Sequence, residues 1–169
     1  ADLRTGLQEE DLAVDTAYLA DRVDELIRVL CSTKACAPLG VADGSLYKDL
    51  PSFEGIDRLY NCGETTFRVI LYDVQQKTKF PNVLKKIVDL PRNTILIRDG
   101  RIGISGKVTN EKLKQFQKDK TFCHLSLDQV KSFHALGRLL AKRREGEFDH
   151  EDTEPRPTES TIYECLAQH

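Results

Sequence analysis

Five cysteines and four histidines are the residues of this chain with the widest chemical reach. Cys31, Cys36, Cys62, Cys123 and Cys165 are odd in number and irregular in spacing. That argues against a disulfide framework and for a reducing compartment. A zinc site usually announces itself through close Cys or His pairs. The nearest approaches here are Cys31 with Cys36 and the adjacent Cys123 and His124, and neither has a matching second pair. The thiols are expected to serve as small buried apolar groups, with no metal bound.

Covalent catalysis needs a thiol or hydroxyl held by a base, and a third group to orient that base. Candidate bases are His124, His134, His150 and His169. The last two fall in an expected C-terminal tail. His134 lies beside the apolar side of an expected helix, where a half-buried structural histidine is the commoner case. Neighbouring side chains such as those of Cys123 and His124 usually diverge, so adjacency makes no dyad. Paired carboxylates are plentiful, but they are expected on exposed helix faces or in the tail, and nothing in their spacing points to acid–base work. The expectation is a chain with no catalytic residues and no cofactor.

The segment Arg101–Lys107, RIGISGK, invites comparison with a phosphate-binding loop. A Walker A loop needs a glycine, four residues, then Gly-Lys-Ser/Thr, so that backbone amides wrap the phosphates and the hydroxyl holds magnesium. Counting back from Gly106 finds Arg101 where the glycine should stand, and Val108 replaces the hydroxyl residue. The segment is also expected to follow a hairpin turn and not to join a strand to a helix. The motif fails on all three counts.

Charge is the stronger signal. The net formal charge is −2, but it is sorted along the chain. Residues 1–74 hold 7 Lys/Arg and 14 Asp/Glu, residues 75–144 hold 17 and 5, and residues 145–169 hold 1 and 8. A central segment at +12 has the electrostatic footprint of a polyanion-binding surface. Lys85, Lys86 and Arg92 precede the expected hairpin, Arg98, Arg101 and Lys107 surround it, and Lys112, Lys114, Lys118 and Lys120 follow on a helix. Arg138, Lys142, Arg143 and Arg144 stand on the long helix after that, where they also complement its dipole. The competing reading is pairing of acidic and basic faces, within one chain or between copies.

These residues need elements to position them. Leu12, Leu19, Val23, Leu26 and Leu30 form one stripe of a helix over about 7–31, opened by Thr5 and Gln8 in capping-box spacing. Residues 32–55, broken by Pro38, Gly40, Gly44, Pro51 and Gly55, read as a loop with short helical pieces. A short helix over 54–61 follows. Asn61 and Glu64 then cap a helix carrying Phe67, Ile70, Leu71 and Val74. Pro81 suits the first turn of the next helix, which carries Val83, Leu84, Ile87 and Val88 and ends at Pro91. Thr94–Arg98 and Arg101–Ser105 flank Asp99-Gly100, the strongest hairpin signal in the chain. A helix over about 109–119 comes next, carrying Leu113 and Phe116. Ser126 and Gln129 form a capping box for a helix ending near Arg144. Residues 145–159 read as a mobile acidic linker, and Thr161–Ala167 as a short docking helix.

Two local resemblances touch no motif. Residues 7–92 are similar in size and rhythm to death-fold interaction domains. Phe133–Arg144, FHALGRLLAKRR, resembles a stretch in checkpoint clamp loaders of the AAA+ class, but it covers twelve residues and the failed Walker motif removes the chemistry. Neither family is assigned.

The expected architecture is mainly α: a bundle of about six helices with one inserted two-stranded β-hairpin, and a flexible acidic C-terminal segment. Its parts would be an acidic helical region (1–92), a basic hairpin-plus-two-helices region (93–145), an acidic linker (146–159) and a short terminal helix (160–169), with 1–145 one compact unit. No apolar run approaches the ~20 residues that span a bilayer, so no membrane partner is expected. Met is absent, so the chain reads as an excised domain or a processed product. The expected function is a non-enzymatic interaction module, intracellular (nuclear or cytoplasmic), whose segment 75–144 binds DNA or RNA while the acidic tail competes for the same patch. The alternative is a helical adaptor or self-associating scaffold that pairs acidic with basic faces.

Overall fold

The computed structural model describes residues 12, 14–31, 37–41, 46, 48, 50, 51, 53–62 and 64–144. The elements run α1 (Thr16–Cys31), β1 (Ala37–Val41), β2 (Ile56–Cys62), β3 (Thr65–Leu71), α2 (Lys79–Ile87), β4 (Thr94–Asp99), α3 (Lys107–Phe116), β5 (Thr121–Leu125) and α4 (Leu127–Arg144). The five strands form one mixed sheet in the order β1-β2-β3-β4-β5. β1, β2 and β3 make an antiparallel meander, while β3, β4 and β5 run parallel. The fold is therefore α/β, and the expected six-helix bundle with a hairpin is wrong.

Alternation along the strands builds three layers. Val69, Leu71, Ile97 and Leu125 face one side and meet Leu19, Ala20 and Val23 of α1 and Val130 and Ala135 of α4. Ile70, Leu96 and Phe122 face the other side and meet Phe80, Val83, Leu84 and Ile87 of α2 and Leu113 and Phe116 of α3. Parallel strands need long crossovers, and a helix is the usual crossover. Here α2 carries the chain from β3 to β4, and α3 from β4 to β5.

Two helical expectations fail at the sheet, the second because of how a covered strand reads. The short helix expected over 54–61 falls on β2, and the helix expected to start after Asn61 is β3. A strand covered by helices on both faces has no polar side, so it reads as a nearly continuous apolar run. In β3 such a run places Phe67, Ile70 and Leu71 at helical spacing by coincidence. Asn61 does not cap anything: its Oδ1 accepts the Thr66 hydroxyl across the β2–β3 ladder at 2.6 Å. The resemblance of residues 7–92 to an all-helical domain falls with these strands.

The hairpin fails differently. Thr94–Asp99 is a single strand with parallel neighbours on both sides, Ile95 opposite Val69 on β3 and opposite Thr121 on β5. Asp99-Gly100 starts a turn, with Ile102 N–H donating to the Asp99 carbonyl at 3.0 Å, but the chain then runs as a loop into α3. The strand that completes the sheet edge, β5, is one the sequence pattern did not announce.

The helical expectations fare better. α1 begins at Thr16, capped by Asp15, whose carboxylate accepts the Tyr18 N–H at 3.0 Å. Leu12 is buried ahead of that helix and not within it, and the expected Thr5–Gln8 box lies outside the described residues. Ser126 and Gln129 form the expected reciprocal capping box, at 2.8 and 3.2 Å. α1 and α4 approach so closely that a side chain at Gly137 would collide with the Tyr18 hydroxyl and the Arg22 guanidinium. The expected acidic linker and terminal helix lie outside the described residues. Among the described residues no helix is long and apolar enough to cross a membrane.

Candidate polyanion-binding layer

α2 and α3 pack side by side and turn their apolar residues inward, so the lysines between those residues face solvent. Lys85 and Lys86 close the last turn of α2, and Lys114 the last turn of α3. All three are exposed, as are Lys77, Arg92, Lys107 and Lys118. Of the expected site residues, Lys85, Lys86, Arg92, Lys107 and Lys114 thus belong to one layer. Lys77 and Lys118 join them, and Lys77 carried no helical or motif signal that marked it. Among the described residues, Lys77, Lys85, Lys86, Lys114 and Lys118 have no carboxylate within ion-pair distance. Arg92 and Lys107 reach Asp119 and Glu111 only at 4.0 Å, with highly exposed side chains, where an ion pair is worth little.

Two expected residues are spent inside the fold. Arg98 is 2% exposed. Its guanidinium donates to the carbonyls of Tyr72 at 2.7 Å and Val74 at 3.1 Å and lies 4.4 Å over the Phe80 ring. Burial pulls its pKa below the ordinary arginine value. Arg101 grips Asp99 through Nε at 3.0 Å and Nη2 at 2.6 Å, and reaches the Leu12 carbonyl at 2.5 Å. Burial opposes ionisation of Asp99, yet the Arg101 hydrogen bonds hold it below the usual carboxylate range. Lys120 is likewise turned in, bonded to Asp119 at 2.7 Å beside the Phe116 ring.

Arg138 and Lys142 stand exposed on α4, on the opposite face of the sheet. Arg143 and Arg144 end the same helix, but their side chains lie outside the described residues. The basic residues expected to act together therefore do not form one patch. The sheet divides them.

The carboxyl edge of parallel strands is where open α/β sheets commonly bind ligands. Here hydrogen bonds tie the loops of that edge together and leave a small pocket lined by Lys77, Arg98, Ser105 and Thr109. Asp73, just past β3, accepts the Asp99 N–H at 2.7 Å and the Thr16 hydroxyl at 3.4 Å. Its burial raises its pKa. Gly100 donates to the Leu125 carbonyl at 2.8 Å, and a side chain at Gly100 would strike that same carbonyl. RIGISGK joins β4 to α3, so the strand-to-helix placement denied to it is present. The spacing and the missing hydroxyl still break the motif. Gly106 precedes the helix at φ +95°, a conformation other residues rarely adopt.

The thiol–imidazole pair is also split. Cys123 and His124 are consecutive on β5 and so point to opposite faces: Cys123 packs on the α1/α4 side, while His124 stacks on Phe122 and bonds the Ile102 carbonyl at 3.2 Å. Burial pushes the Cys123 thiol up, away from the thiolate a nucleophile needs. Among the described residues no group of three or more His, Cys, Asp or Glu is placed to hold a metal ion.

No protein-family model matches the chain, and no curated protein or solved structure matches it.

Proposed function

We propose that this chain is a non-enzymatic binding module for a polyanion, DNA or RNA, and that the outer side of α2 and α3 is the contact surface. The observation that carries the reading is the set of exposed lysines on two packed helices and the turns beside them, Lys85, Lys86 and Lys114 on the helices, Lys77 before α2 and Lys118 after α3, none with a carboxylate within ion-pair distance among the described residues. Cations held on short helices at one surface meet successive phosphates and release the counterions condensed there. On the opposite face, acids are taken up by cations of their own layer. On α1, Asp21 and Asp24 are bound by Arg58, and Glu25 by Arg22 at 3.0 Å.

The test is fluorescence anisotropy of the intact chain with labelled single- and double-stranded DNA and RNA at low and near-physiological salt. Combined Lys85→Glu, Lys86→Glu and Lys114→Glu should weaken binding at least about ten-fold and flatten the salt slope, because each lost phosphate contact removes roughly 0.7–0.9 from it. Arg138→Glu with Lys142→Glu on the other face should stay within about three-fold. Equal losses from both sets would move the contact away from the α2/α3 layer. Absence of binding even at low salt would overturn the reading, and a salt-sensitive mass increase with concentration would then favour the pairing of acidic and basic faces between copies.

A further inference from the structure

Beside the basic layer, between α2 and the segment that carries Leu50, lies a pocket of about 250 Å³. That is just under the about 300–1,000 Å³ usual for small-molecule sites, so it suits one compact unit. Its walls are apolar at Leu50, Val83 and Tyr72, and its remaining lining is Asn82 with three lysines, Lys79, Lys85 and Lys86. Lys79 is shared with Glu54 through an ion pair. Lys85 and Lys86 are exposed and bind no carboxylate among the described residues.

Tyr72 is the informative wall. It is 0% exposed, and its phenolic oxygen is buried without any hydrogen-bond partner. Buried hydroxyls nearly always find one, because an orphan keeps the full cost of its lost hydration. The ring stacks between Phe53 at 5.7 Å and Phe80 at 5.8 Å. Arg98 also lies over the ring at 5.9 Å, so the ring faces are engaged and the edge is the part left to meet the pocket. Glu54, the partner of Lys79, acts on the phenol electrostatically, and burial is the main cause that pushes its pKa up to about 12. The hydroxyl is thus protonated at neutral pH, an unanswered donor and acceptor on a residue that lines the pocket.

A ligand that answers this lining has a flat body for the apolar walls, a polar edge for Tyr72 and Asn82, and an anionic group for Lys85 and Lys86. We propose that the pocket binds a nucleoside monophosphate unit, its base against Leu50, Val83 and the Tyr72 edge and its phosphate on Lys85 and Lys86. This rests on the polyanion reading of the same layer, and it adds that the partner must present an unpaired base. The unit has two sources, a free nucleotide or a single strand.

With no tryptophan and five tyrosines, tyrosine emission reports on the intact chain, alongside ¹H–¹⁵N spectra. AMP and UMP are titrated against ribose 5-phosphate and inorganic phosphate. Expected are saturable shifts confined to Leu50, Tyr72 and Lys79–Ile87, with ribose 5-phosphate at least about ten-fold weaker because it buries no base. Tyr72→Phe should lower nucleotide affinity about three- to ten-fold while leaving ribose 5-phosphate unaffected. Lys85→Ala should weaken every phosphate ligand. A short 5′-phosphorylated single strand and a blunt duplex separate the sources. If the single strand loses affinity with Tyr72→Phe and the duplex does not, the unit sits in a strand. If only free nucleotides respond, it is a free ligand. Equal binding of inorganic phosphate and AMP, or shifts elsewhere, overturns the pocket while leaving the layer standing, provided long DNA still binds through Lys85, Lys86 and Lys114.

Discussion

On the α1/α4 face, acid meets base within the layer. Arg58 on β2 reaches across to α1, where it binds Asp24, Asp21 at 3.3 Å and the Ala20 carbonyl at 3.2 Å. Tyr60 donates to the same Asp24. Arg22 pairs with Glu25 and lies 4.9 Å over the Tyr18 ring, which stacks at 4.5 Å on His134 of α4. Burial lowers the His134 pKa, so this imidazole acts as a neutral packing group. On the α2/α3 face the apolar side is packed as well, yet Lys77, Lys85, Lys86, Lys114 and Lys118 meet no carboxylate among the described residues. The difference teaches where an electrostatic signal survives folding: one layer has tied much of its charge into structure, and the other keeps more of its cations at the surface.

That contrast can be broken at its strongest point by loosening α2. At nine residues the helix is too short to persist alone and depends on Phe80, Val83, Leu84 and Ile87 for its place. Leu84→Ala removes a fully buried side chain and should cost about 2–5 kcal/mol in urea unfolding. Under conditions where the variant is still folded it should also weaken nucleic-acid binding. Leu19→Ala on α1 should cost stability in the same range with binding unchanged. Equal binding losses from both would mean that the two layers are not separate in function.

A smaller effect is expected from Arg58→Ala, which leaves Asp21 and Asp24 without their cation. The loss of several charge-assisted hydrogen bonds at a half-buried site should cost about 1–3 kcal/mol. It should leave DNA affinity within about two-fold, because exposed charges farther apart than a Debye length of about 8–10 Å are screened. A marked rise or fall in affinity would show that acids of the α1 face act on the partner after all.

The smallest effect is one of pH. Asp57 is buried on β2, 3.3 Å from Arg68 Nε, with both oxygens otherwise unbonded. Burial raises its pKa, and Arg68 only partly opposes this. Below the ordinary value of 3.8 the carboxyl is protonated in both states and contributes nothing. Above it the unfolded chain ionises first, so stability falls as pH rises through the window up to the raised native value. Asp57→Asn should flatten that decline in thermal melts run from about pH 4 upward, with Asp73, shifted the same way by burial, keeping its share. An unchanged profile would mean that Asp57 ionises as freely in the fold as outside it.

What could be read without coordinates follows from local physics. The stripe of Leu19 and Val23, the Ser126–Gln129 box and the proline-started α2 are decided by neighbours three or four residues apart, and all three are present. The sorting of charge is likewise a property of the chain, as is the failure of RIGISGK as a Walker loop. The sheet was not legible because its evidence is not local: β3 and β4 are apolar on both sides only because helices from distant segments cover both faces. Tertiary structure also decided which basic residues remain outside. Arg98 and Arg101 look no different in sequence from Lys85 and Lys86, yet they follow or end a buried parallel strand, where carbonyls and Asp99 claim them. Lys85 and Lys86 stand on the solvent side of a crossover helix. Tyr72 becomes a pocket wall with an unanswered hydroxyl only because Phe53 and Phe80 arrive from either side to take its ring faces. Composition and period set the charge and the helices, whereas strand pairing set the faces, because a residue's exposure depends on what the rest of the chain lays over it.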